Sequence, residues 1–184
     1  MTGNTKHFSI LDIAQIGIMV AIIEVSKLAL SGMPNIELTS FWLIMFTLFF
    51  GWKIVAVVPV FILLEGSLYG VHLWWIMYLY AWPLLVAIAH IFRKNTSAFL
   101  WGIISGIFGL SFGALCSIPY FFIGLSTGGL SAGFRSAFTW WVAGIPWDFV
   151  HCVGNFTIML VLYHPISKAM KWIQKEAIPQ TSGK

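Results

Sequence analysis

The chain has 184 residues, 59% of them hydrophobic and 9% charged, with a mean hydropathy of +0.90 and a formal net charge of +4. A soluble domain carries about a quarter charged residues, so these residues cannot build a water-facing surface, and the bilayer is the expected solvent. The positive balance does not point to nucleic acid, because the basic residues are scattered at the ends of apolar segments rather than gathered in one patch. Cys116 and Cys152 both fall inside apolar runs and read as small packing residues rather than a disulfide or metal pair.

A spanning helix needs about 20 mainly apolar residues, and lipid admits only helices or closed barrels. The alternating pattern of barrel strands is missing. The apolar segments at 10–30, 38–51, 53–70, 72–92, 98–118 and 137–163 therefore predict an all-α integral membrane protein: six transmembrane helices in a single domain over 1–184. The first segment is long, contains Glu24 and Lys27, and lacks a small-residue cleavage site, so it reads as a retained helix. Gly17 and Ala21, with Ala14 nearby, make a small-xxx-small pair that lets another helix approach closely. The second segment is short, and Gly51-Trp52-Lys53 turns tightly into the third.

Glu65 lies late in the third segment, where an unpaired charge costs roughly 3 kcal/mol or more at mid-membrane; it needs a partner, water or a ligand. Trp74, Trp75 and Tyr78 open the fourth segment at the expected interface. Successive helical residues point about 100° apart, so at least one of the two tryptophans is expected to face inward. Arg93-Lys94-Asn95 closes this segment. In the fifth, Gly102, Gly106, Gly109 and Gly113 follow helical spacing and predict a smooth packing groove. Pro119 ends or kinks that helix, and the glycine- and serine-rich stretch 123–133 reads as a loop. On the sixth, Trp141, Asp148 and Asn155 are seven apart and His151 lies three beyond Asp148, which puts them on one polar stripe. Such a stripe either joins helices or lines a cavity.

With the N-terminus in the cytoplasm, the inner side receives Lys6, Lys53, Arg93, Lys94, Lys168, Lys171, Lys175 and Lys184. The outer side keeps Arg135, with Lys27 near the outer end of the first helix. The positive-inside rule favours this orientation, with both termini cytoplasmic. The outer loops are then 31–37, about 70–72, and 119–136, the last long enough to serve as a lid.

No Walker-type phosphate loop, arginine series or metal-ligand spacing occurs, so energy for uphill transport would have to come from elsewhere. Gly109-Leu110-Ser111-Phe112-Gly113 matches the G-x-S-x-G pattern. With His151 on the following span it leaves open a rhomboid-like intramembrane serine protease. The competing role of these glycines is helix packing.

Several runs together resemble the substrate-binding S components of energy-coupling factor (ECF) transporters: Met33-Pro34-Asn35-Ile36-Glu37-Leu38-Thr39-Ser40, Leu64-Glu65-Gly66 through Trp74-Trp75, Phe108 to Ala114, and Ala143-Gly144-Ile145-Pro146-Trp147-Asp148 with His151 and Asn155. The likeness covers about 10–165. It implies a multi-pass, non-enzymatic vitamin-binding subunit of a prokaryotic plasma membrane, docking on a transmembrane coupling subunit and two ATPases. The family's docking motif on the first helix is AxxxA; Gly17 and Ala21 occupy it here, with glycine in the first place. Within the family the chain looks most like the cobalamin subgroup, with queuosine, riboflavin and folate as other substrates. Topology and resemblance together give an expected binding set of Asn35, Glu37, Glu65, His72, Trp75, Tyr78, Trp140, Trp141, Trp147 and Asp148. No covalent cofactor, metal or catalytic residue is expected.

Overall fold

In a computed structural model, which describes residues 9–177, the chain folds into helices without a strand among the described residues. In order these are α1 (Ile10–Ala29), α2 (Thr39–Phe50), a 3-10 turn (Gly51–Lys53), α3 (Ile54–Tyr69), α4 (Leu73–Ile91), α5 (Ala98–Cys116) and α6 (Ile118–Ala177). Three continuous stretches are long and apolar enough to cross a membrane: Thr39–Tyr69, Leu73–Ile91 and Ala98–Lys175. These lengths and compositions mark a membrane protein. α1 does not join them because Asp12, Glu24 and Lys27 interrupt its apolar surface.

Local chemistry sets the helix ends. Ser9 and Asp12 form a reciprocal capping box, the Ser9 hydroxyl accepting the Asp12 N–H at 3.1 Å and the Asp12 carboxylate accepting the Ser9 N–H at 3.0 Å. α2 stops at Gly51 and α3 at Gly70, both at positive φ (58° and 86°), where a side chain would be strained. Ser97 starts α5 by accepting the Leu100 N–H. Pro119 has no N–H to offer Leu115, and the carbonyl left free takes the Tyr80 hydroxyl at 2.8 Å. That bond ties α4 to the α5–α6 junction.

The expected loop over 119–136 is instead helical. α6 begins two residues after α5 ends, and non-helical backbone occurs inside it only at Gly128 (φ −150°, ψ 19°) and Gly129 (φ 73°, ψ −168°). Two arms, 118–127 and 130–177, fold back on each other at this Gly-Gly turn. Glycine serves close packing here rather than chain flexibility. A Cβ at Gly124 would strike the Ala132 carbonyl, and one at Gly133 would lie 3.0 Å from the Phe121 carbonyl oxygen. The hydroxyls of Ser126 and Thr127 turn back onto carbonyls of their own helix. The sixth helix accordingly starts well before the expected residue 137 and runs past 163.

The glycine groove of α5 forms as its spacing predicts. Phe156 packs on Gly102 and Gly106, the His151 backbone lies against Gly109, and Asp148 lies against Gly113. Elsewhere the core is apolar: Ile23 of α1, Phe41 and Phe46 of α2, Phe61 of α3, Leu85 of α4, Trp101 of α5 and Met159 of α6 are fully buried. One end of the bundle gathers the basic residues. Lys53 pairs with Asp12 at 2.6 Å, and Gln174 reaches the Phe49 carbonyl, so the far end of α6, with Lys168, Lys171 and Lys175, lies beside the α2–α3 turn.

Candidate functional site

A cavity of about 970 Å³ opens where the α1–α2 connection, the start of α4, the end of α5 and both arms of α6 meet. Its wall is largely apolar and rich in aromatic rings: Trp74, Phe112, Tyr120, Trp140 and Trp147, with Met77, Leu73, Pro34 and Ala143 between them. Tyr120 and Trp140, one from each arm of the hairpin, stack with ring centroids 3.9 Å apart and planes at 14°. This pair makes a flat face on which a planar ring can lie. The polar lining is sparse and consists of Asn35, His72, Cys116 and Asp148. Asn35 holds φ 57°, a left-handed conformation that asparagine tolerates better than most residues.

Asp148 is the best-defined polar group. It is 6% exposed, and its Oδ1 accepts the Gly113 N–H at 2.9 Å while Oδ2 has no hydrogen-bond partner. Glycine at 113 makes this approach possible, since a Cβ there would collide with the carboxylate. One turn along, His151 packs edge-on to Phe112 with centroids 5.1 Å apart and donates to Glu37 Oε1 at 3.2 Å. Asn155, a turn further, donates to the Ser105 carbonyl at 3.3 Å. The stripe therefore divides its labour: Asn155 and His151 join helices, and Asp148 faces the cavity.

A smaller space of about 240 Å³ adjoins the cavity, sharing Pro34, Asn35 and Phe112 with it and adding Lys27, Glu37, Tyr78 and His151. Glu37 accepts the N–H groups of Thr39 and Ser40 and the Ser40 hydroxyl, capping α2. Burial opposes its charge, but His151, Ser40 and Thr39 outweigh that and hold its carboxyl down at about 2. Glu65, wholly buried, pairs with Lys27, and Glu24 sits against Glu65. The Lys27 ammonium also lies 5.1 to 5.7 Å from the ring centres of Tyr69, Trp74 and Tyr78.

Of the expected binding set, Asn35, His72, Trp140, Trp147 and Asp148 line the cavity. The other five lie elsewhere. Glu37 caps α2, and Glu65 neutralises Lys27. Trp75 donates its indole N–H to the Ile62 carbonyl at 2.7 Å across the gap left by Gly66. Tyr78 stacks on Phe61 and borders the smaller space. Trp141 points away beside Phe138 and is 39% exposed. Of the two adjacent tryptophans, it is Trp74 that lines the cavity. Phe112, Gly113, Cys116 and Tyr120 went unforeseen. The glycine spacing of α5 was the signal for Gly113, while Tyr120 was hidden by the loop expected over its segment.

Ser111 and His151 do not form a nucleophile–base pair. The Ser111 side chain is exposed and its hydroxyl donates to the Ile107 carbonyl at 2.8 Å, while His151 is buried against Glu37. Among the described residues no group of three His, Cys, Asp or Glu side chains could hold a metal ion. No family model, curated protein or solved structure matches the chain.

Proposed function

We propose that this chain is the substrate-capturing S component of an ECF-type transporter, with a vitamin, cobalamin foremost, as its cargo. The observation that carries the proposal is the aromatic cavity of about 970 Å³ with one backbone-anchored carboxylate in its wall. That volume lies at the upper end of the range for small-molecule sites, which suits a large ring system. Queuosine, riboflavin and folate are the competing cargoes. Energy comes from two ATPases joined through a coupling subunit.

All six helices cross the membrane in this proposal, both termini are cytoplasmic, and the membrane is a prokaryotic plasma membrane. Charge supports the orientation. The basic cluster around Lys53 and Lys168–Lys175 sits at one end of the bundle. Arg93 and Lys94 follow the far end of α4, about 30 Å along the helix from His72 at the cavity. Basic residues inside put the cavity outside. Docking is supported by α1, where Gly17 and Ala21 are exposed and a Cβ at Gly17 would meet nothing within 4 Å.

Calorimetry of the purified protein with cobalamin, riboflavin, folate and queuosine is the test. Sub-micromolar binding of one compound is the expected result. Failure of all four, with the protein alone and with the assembled ATPase complex, would remove these cargoes and leave only the fold.

A further inference from the structure

Lys27 and His151 beside the cavity are already ion-paired, whereas two acidic groups are not. Among the described residues lining the cavity there is no lysine or arginine; His72, exposed at the rim, is the only basic side chain. Lys27 is bound to Glu65, and His151 is bound to Glu37. Glu24 and Asp148 are left without an ion-pair partner on this side of the bundle, with buried, unpartnered oxygens on each. A buried carboxylate that forgoes a hydrogen bond loses the full desolvation cost of that oxygen. The geometry around Asp148 is fixed rather than incidental: Gly113 holds Oδ1 and makes room for Oδ2.

Taking the cavity as the cargo site, we infer that the cargo presents a nitrogen donor, cationic or amide, to the Asp148 carboxylate, and that anionic cargo is rejected. The donor supplies the bond that Oδ2 lacks, while the faces of Trp74, Trp140 and Tyr120 attract positive charge and the edges of flat rings. An anion would meet Asp148 across a low-dielectric gap with no lysine or arginine to balance it. Of the competing cargoes, folate, with two carboxylates, is the one this charge pattern disfavours. The amine of queuosine satisfies it directly, and the amide-fringed ring of cobalamin satisfies it with its phosphodiester turned away from Asp148.

The test uses the full chain in phosphatidylcholine nanodiscs and two probes that share one ring system, 9-aminoacridine (a cation at neutral pH) and acridine-9-carboxylate. Quenching of tryptophan fluorescence is titrated for the native protein and for Asp148→Asn, which keeps Oδ1 for the Gly113 N–H. The native protein is expected to bind the cation at least about tenfold more tightly, the scale of one charge-assisted hydrogen bond, and Asp148→Asn to erase the difference. Equal binding of both acridines by the native protein would overturn the charge preference while leaving the cavity as a binding site. A preference that survives in Asp148→Asn would overturn the role of Asp148. If neither acridine binds, the cavity does not take flat rings and this inference falls, while the proposed function still stands or falls on calorimetry with the four cargoes.

Discussion

Glycine 113 carries more of the site than any aromatic residue around it. Its missing side chain admits the Asp148 carboxylate to within hydrogen-bond reach of the α5 backbone. Gly113→Ala is expected to push Asp148 off that N–H, lowering ligand affinity about tenfold or more and destabilising the protein by about 1–3 kcal/mol. Titration of ligand and a thermal melt in detergent measure the two effects. Glu37 answers a different question. Its carboxyl is held at about 2 in the fold against an ordinary value of 4.5. The stabilisation is therefore complete above pH 4.5 and is lost as pH falls from there toward 2, amounting to at most about 3 kcal/mol. Melting temperature should hold steady between pH 7 and 5 and then drop, and Glu37→Gln should melt lower at pH 7 and show a shallower drop. An equal acid drop in the variant would take the effect away from Glu37.

At the scale of elements, the α5–α6 hairpin builds the cavity's flat face. The first arm of α6 contributes Tyr120 and the returning second arm Trp140, and these rings stack where the arms close on each other around Gly124 and Gly133. Gly124→Leu should part the arms without touching the bundle core. The expected result is a ligand affinity at least about fivefold weaker, with helical content by circular dichroism unchanged. Native affinity in that variant would show that the stacked pair is not part of the binding surface. Pro119 and Tyr80 act at the same scale, since the proline frees a carbonyl and the tyrosine claims it, linking the hairpin's base to α4.

Across the whole molecule, the basic end, the cavity end and the outward face of α1 are separate regions, so the proposed cargo capture and the proposed docking can be disturbed independently. A Cβ at Gly17 would meet nothing within 4 Å among the described residues. If the proposed docking holds, Gly17→Trp should leave folding and cargo affinity as they are and abolish co-purification with the proposed coupling subunit and ATPases. Retention of the complex at native yield would move the docking surface off α1. The exposed Ile10, Ile13, Ile18, Val25 and Leu28 surround this face and suit either lipid or an apolar partner helix.

The sequence by itself determined the solvent, the helical class and most helix ends. Those follow from composition, from glycines at positive φ and from proline, all of which act within a few residues. It also placed Asp148, His151 and Asn155 on one inward stripe and Gly102 to Gly113 in one groove, because helical periodicity is local too. What each polar group meets was decided only in three dimensions. Glu65 finds Lys27 across 38 residues and His151 finds Glu37 across 114, and the rotation of each helix chose Trp74 over Trp75 for the cavity. The glycines between 123 and 133 show the same division. Their smallness is written in the chain, but whether it loosens a loop or tightens two packed arms depends on the helix that lies against them.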